Sequence, residues 1–169
     1  MDSINILFNL FENPLMYSII FLIYVILAAV ILPIPVEIGL FNPNINPILL
    51  ILIMGIGKGI GSIIVFKIGL KLRKEIKKRV MGTSLTIKII KYCEGFVKKY
   101  GYIGLFIIMS IPLMIDSATL YLFSILNPRR KSGKQALLLS RFVVINIAAG
   151  VLRGSIILAL AYFINIRLV

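Results

Sequence analysis

The residues with chemistry to offer are ionisable side chains set in otherwise apolar stretches. Glu37 stands in "LPIPVEIGL", two residues after Pro35, and Asp116 stands in "IPLMID", four residues after Pro112. Lys58 and Lys67 interrupt the apolar run 48–70, and Arg141 and Arg153 interrupt the run 135–164. A charge in such surroundings is costly unless it is paired, hydrated or neutralised by a proton. The pattern therefore predicts a polar core in which Glu37 pairs with Lys58 or Arg141, and Asp116 pairs with Arg141 or Arg153. A guanidinium stays charged and can grip a phosphate through two N–H groups. Lys58, Arg141 and Arg153 are thus candidates to hold an anionic group such as a phosphate. The two carboxylates would neutralise the empty site, or take up a proton when the phosphate leaves. For Lys67 and Arg153 the competing expectation is snorkelling of the charged end toward an aqueous face.

The surroundings must then be a membrane. At 60% hydrophobic residues over 169 and a mean hydropathy of +1.04, the chain has more apolar surface than a water-soluble domain of this size can hide. It reads as one integral membrane domain over residues 1–169. The first thirteen residues, MDSINILFNLFEN, lack the basic start of a removable signal peptide. A single cysteine, Cys93, and no histidine exclude an internal disulfide and the usual soft-metal and histidine-base chemistries. No metal or cofactor is expected. Ser110, Ser117 and Thr119 lack an activating partner in the sequence, so an enzyme is not expected either.

The net charge of +13 is distributed unevenly. Residues 1–57 contain no lysine or arginine, whereas 71–99 contain ten, and Arg129, Arg130, Lys131 and Lys134 form a second cluster. This asymmetry predicts that the loops 71–99 and 129–134 are cytoplasmic and rest against anionic headgroups. Nucleic acid binding would not need it and is not expected.

Two basic loops on one side constrain the elements between them. Residues 101–127 are apolar and long enough to cross once, which would put the loops on opposite sides. Pro112 removes a backbone donor and clashes with the preceding turn, so it breaks the segment into halves of about 11 and 15 residues. These are about 16 and 22 Å long, too short for a ~30 Å core. The segment reads as a re-entrant hairpin with Asp116 near its tip. Residues 15–32 followed by Pro33, Pro35 and Glu37 read the same way. A stretch long enough to span follows each hairpin, at 48–70 and at about 135–164. The expected fold is an all-α inverted repeat of hairpin plus transmembrane helix, with repeats at about 1–80 and 83–169. The competing layout, four ordinary spanning helices, would export the 129–134 cluster. Residues 2–12 and 83–100 read as amphipathic interfacial helices. Gly55 and Gly59, and Gly57 and Gly61, are four apart, a spacing that lets helices pack closely in membranes. Gly150 and Gly154 repeat it, which suggests that the two spans cross.

"PIPVEIGL" resembles the P-x-P-x-E signature of the DedA/VTT membrane proteins, also called SNARE-associated Golgi-like. "GIGKGIGSIIVFKIGLKL" and "KKYGYIGLFIIMSIPLMID" are similar to two further segments of that family, in the same order. The resemblance implies a flippase or scramblase for polyprenyl phosphate or phospholipid, with Glu37 as the family's acid; Lys58, Arg141 and Arg153 would then hold the lipid's anionic headgroup while its acyl or isoprenoid tail stays in the bilayer. Three charged positions of the family pattern are replaced, at Ser62, near Ser110 and near Ile115, which implies a divergent branch. Residues 100–113 also resemble the small multidrug exporters. A small-molecule exporter and a non-transporting assembly factor are therefore the alternatives, and proton or sodium coupling and a homodimer are compatible with the reading.

Overall fold

The computed structural model describes residues 13–31, 34–79, 84–128 and 135–164. Pro33, the 129–134 cluster and the proposed surface segment 2–12 lie outside them. The described residues form five α-helices, one 3-10 turn and no strand, so the fold is all-α.

Helix α1, Pro14–Val30, starts where Asn13 Oδ1 accepts the Leu15 and Met16 N–H groups at 3.0 and 3.4 Å, with proline in the first turn. It ends before the proline pair, and the chain re-forms as a 3-10 turn, Val36–Leu40. Asn42 and Asn46 each accept a backbone N–H two residues on, at 2.9 Å. The second of these bonds, with Pro47 next in sequence, starts helix α2, Pro47–Arg79. Helix α3, Ser84–Ser110, ends at the Pro112 break. Helix α4, Asp116–Ile125, follows it, and helix α5, Leu139–Phe163, is the last of the described helices.

Two of these elements, Pro47–Arg73 within α2 and Leu139–Phe163, are long and apolar enough to cross a membrane. At 17 and 10 residues, α1 and α4 fall short of the about 20 residues a crossing needs. Large apolar side chains stay exposed along α1, α2 and α5, among them Ile23, Ile56, Ile64, Val144 and Leu160. That outward surface suits lipid rather than water.

Of the segment 83–100, Thr83 lies outside the described residues and 84–100 do not form a surface helix separate from the first arm of the second break. Residues 84–100 run without interruption into residues 101–110 as α3. No proline lies between them, and a helical glycine costs only about 1 kcal/mol, so Gly101 and Gly104 do not stop the helix. Gly101 instead faces Leu137, whose Cδ2 lies 2.8 Å from where a Cβ would be.

The glycines of α2 serve two neighbours. A Cβ on Gly55 or Gly59 would meet Val151 or Ile147 of α5 at 2.5–2.7 Å, and one on Gly57 or Gly61 would meet Val25 or Ala29 of α1 at 2.5–2.8 Å. Glycines four apart lie on one helix face, so each pair opens one side of α2 to close approach. At the crossing with α5, a Cβ on Gly150 would lie 3.1 Å from the Gly55 Cα. One apolar cluster, including Phe66, Leu105, Phe123 and Phe142, joins α2, α3, α4 and α5. A second, including Phe21, Leu40, Met54 and Ile157, joins α1 and the 3-10 turn to α2 and α5.

Candidate functional site: a buried cluster of four charges

Between these two apolar clusters the fold brings together Glu37, Lys58, Asp116 and Arg153. Their exposures are 4%, 0%, 6% and 0%. Each comes from a different element. Glu37 is in the 3-10 turn that follows the proline pair, and Asp116 is the first residue of α4, after the Pro112 break. Lys58 and Arg153 stand within the two long apolar helices.

The order of contacts is Lys58, Asp116, Arg153, Glu37. Lys58 Nζ lies 3.1 Å from Asp116 Oδ2 and donates to Oδ1 at 3.3 Å. Arg153 Nη1 donates to Asp116 Oδ1 at 2.7 Å, and its Nε and Nη2 both reach Glu37 Oε1. Nη2 also donates to the Met114 carbonyl at 3.1 Å. One guanidinium therefore bridges the two carboxylates and fastens the broken backbone between α3 and α4. Two carboxylates and two cations sum to zero, the condition under which burial of so many charges is tolerable. Asp116 gains further from its place at the N-terminus of α4, where the helix dipole favours a negative charge.

The Pro112 break takes part directly. Leu113 adopts a positive φ of 61°, uncommon for a residue with a Cβ, and its N–H donates to Glu37 Oε1 at 2.9 Å. Glu37 thus ties the first break to the second. Its other oxygen, Oε2, is buried and accepts no hydrogen bond among the described residues. Glu37 also lies on an otherwise apolar groove of about 240 Å³, lined by Pro112, Leu113, Ile157 and Leu160 among others.

The structure changes the expected pairings. Glu37 meets Arg153 rather than Lys58 or Arg141, and Asp116 is shared between Arg153 and Lys58. Arg141 takes no part. It is exposed, with its guanidinium carbon 6.0 Å from the centre of the Tyr102 ring. The physical reason is helical rise: Arg141 lies twelve residues before Arg153, about 18 Å along the same helix. Arg153 does not snorkel, whereas Lys67 is exposed on α2. Pro35 directly precedes the 3-10 turn, and Pro112 sits half-buried inside the second break.

Sequence reasoning missed the Leu113 N–H and the Met114 carbonyl, because a backbone group carries no residue-type signal. The sharing of Arg153 did leave a trace. Lys58 follows Gly55 by three residues and Arg153 follows Gly150 by three, so a crossing at Gly55 and Gly150 sets both cations one turn from it. Ser62, at a position where the resemblance calls for an acid, instead returns its hydroxyl to the Gly59 carbonyl at 2.7 Å. Among the described residues no group of three or more His, Cys, Asp or Glu side chains converges on a metal site. What the fold and site define is an all-α chain with two membrane-length helices around a buried, charge-balanced cluster. No protein-family profile, curated protein or solved structure matches the chain.

Proposed function

We propose that the protein is a membrane lipid transporter, a flippase or scramblase, in which a headgroup crosses at the cluster of Glu37, Lys58, Asp116 and Arg153. The observation that carries this reading is the origin of the charges: both acids come from helix breaks and both cations from membrane-length helices. Broken helices meeting spanning helices at a polar centre are the usual construction of a transporter site. In this reading α1 with the 3-10 turn, and the end of α3 with α4, are the two re-entrant hairpins of an inverted repeat, and the basic stretches 71–99, helical over 71–79 and 84–99 rather than a loop, and 129–134 face the cytoplasm. The chain is then a divergent DedA/VTT-like protein with a single membrane domain, and it performs no covalent chemistry.

The contact order suggests how a headgroup passes. In the closed cluster each cation is already held by a carboxylate, so a phosphate gains Arg153 and Lys58 only by displacing Asp116 or Glu37. A displaced carboxylate left charged and buried would be costly. A proton or a sodium ion arriving with the phosphate removes that cost, and this is where coupling to an ion gradient would enter.

The test is leaflet exchange of labelled phospholipid and of labelled polyprenyl phosphate in liposomes containing the purified protein, beside Glu37→Gln and Asp116→Asn. Exchange by the native protein that both variants lose supports transport, and the lipid that moves names the substrate class. No exchange of either lipid by folded, inserted protein would transfer the reading to a small-molecule exporter or an assembly factor.

A further inference from the structure

We infer that the seam between α3 and α5 carries a binding site for an anionic phospholipid headgroup, built from Lys98, Tyr102 and Arg141. The site is separate from the buried cluster and gives Arg141 a role there. It rests on the membrane reading alone, and stands whether or not any headgroup crosses at Glu37, Lys58, Asp116 and Arg153.

Three observations converge on this seam. The first is proximity. The Arg141 guanidinium carbon lies 6.0 Å from the centre of the Tyr102 ring, and the Tyr102 hydroxyl oxygen accepts the Leu138 N–H at 2.8 Å. Lys98 precedes Tyr102 by four residues within α3, which sets the two on one helix face. The second is unused donors. Arg141 and Lys98 are exposed, and among the described residues neither meets a carboxylate. Glu94, the one acid of α3, is engaged by Arg73 at 2.7 Å. Tyr102 accepts from Leu138, but its own hydroxyl proton meets no acceptor among the described residues. A guanidinium fork, an ammonium and a phenol with a proton to give are a donor set suited to a phosphate group. The third is depth. Arg141 stands twelve residues before Arg153, and Lys98 twelve before Ser110 at the end of α3. Each is therefore about 18 Å along its helix from the level of the cluster and the break, against about 15 Å for half of a ~30 Å core. The surface between is apolar and outward, with Ile103, Ile107 and Val144 all exposed. A phosphate at that level belongs to a lipid, whose tails lie along this apolar surface.

The chain contains no tryptophan, so a single introduced indole reports on its own lipid neighbours. The test uses full-length Val144→Trp, with the indole three residues after Arg141, and Leu160→Trp, toward the other end of α5; both positions are exposed. Each protein is placed in phosphatidylcholine vesicles containing brominated phosphatidic acid or brominated phosphatidylcholine, and quenching of the indole gives the relative affinity of the two lipids beside it. A cation near an anionic headgroup contributes about fivefold in affinity. Phosphatidic acid is therefore expected to be preferred about twentyfold in the Val144→Trp protein and not at all in the Leu160→Trp protein. Adding Arg141→Ala to Val144→Trp should lower the preference about fivefold. Adding Tyr102→Phe, which keeps the ring and every charge, should lower it severalfold by removing the neutral donor. An undiminished preference in either folded variant overturns the site and assigns the attraction to the overall charge of +13. Equal preference at the two indole positions also overturns it. So does loss of the preference on adding millimolar inorganic phosphate, which would give the donors to a free anion. Leaflet exchange is read separately, so a failure here and a failure of transport remain distinguishable.

Discussion

Replacing Arg153 with methionine should do more damage than any other single change in the cluster. The guanidinium is the one ionic partner of Glu37 among the described residues and one of two for Asp116. Without it Asp116 keeps Lys58, but Glu37 keeps only the Leu113 N–H. Removing one partner of a buried ion pair costs about 3–5 kcal/mol, or about two to three and a half decades in the ratio of folded to unfolded protein. Lys58→Met should cost less, because Asp116 retains Arg153. The sharper measurement is a double-mutant cycle by equilibrium unfolding in mixed micelles. Adding Glu37→Gln to Arg153→Met removes the stranded charge, so the pair should be milder than the sum of the singles, with a coupling of about 0.5–3 kcal/mol. Arg141→Ala is the control in the same helix. It gives up at most a cation–π contact with Tyr102, worth up to about 1 kcal/mol at an exposed site, and should leave the coupling unchanged. If Arg153→Met unfolds within 1 kcal/mol of the native protein, or if the effects of Glu37→Gln and Arg153→Met simply add, the cluster is not the unit described above.

The remaining predictions concern packing and the helix connections. Gly61→Ala puts a methyl group 2.5 Å from the Ala29 Cβ, and overpacking of that kind costs about 1–3 kcal/mol. Gly95→Ala meets nothing within 4 Å on a helix and should stabilise by about 0.5–1 kcal/mol, so thermal midpoints in detergent should move in opposite directions. Gly150→Ala would place its methyl 3.0 Å from Lys58 Cδ and 3.1 Å from the Gly55 Cα. It should therefore lower leaflet exchange as well as stability, whereas Gly61→Ala should affect mainly stability. Asn127→Ala removes a donor and an acceptor that meet the Leu137 carbonyl and N–H at 2.9 and 2.8 Å. Two buried backbone groups left unpaired should cost about 2 kcal/mol or more by the same unfolding assay.

Much of this arrangement is legible in residue types. Apolar length marks the two long helices, proline marks the break at 112, and small residues four apart mark the close face of α2. The charges inside apolar runs point to a buried cluster before any coordinate is seen. Pairing is less legible, because it depends on helix register. Arg141 and Arg153 look equivalent as isolated cations in one apolar run, and only the crossing at Gly55 and Gly150 separates them. Backbone contributions are not legible at all: the left-handed Leu113 and its N–H toward Glu37 follow from how the chain turns at Pro112. The continuity of α3 was obscured for a different reason. Its change from a lysine-rich first half to an apolar second half looks like a boundary, but composition can change along a helix that nothing interrupts.

The two kinds of signal, glycine and charge, depend on one another. Long cationic side chains can be fully buried only where the helices that carry them come close enough to exclude lipid and water. Small residues provide that closeness: the Lys58 side chain passes over Gly150, in space that any larger residue would occupy. Close packing of α2 and α5 alone would bury two positive charges without compensation, which no packing gain would offset. The carboxylates must therefore arrive at the same depth, and a continuous helix already fixed in the bundle offers few ways to bring them there. Chain breaks supply the freedom. The 3-10 turn after Pro35 and the left-handed residue after Pro112 bring Glu37 and Asp116 to opposite ends of one guanidinium. Leu113 then donates its own N–H to the acid delivered by the other break. The breaks and the buried cations are thus parts of one solution to the same electrostatic problem, and a change that opens either break should strand charge at the crossing.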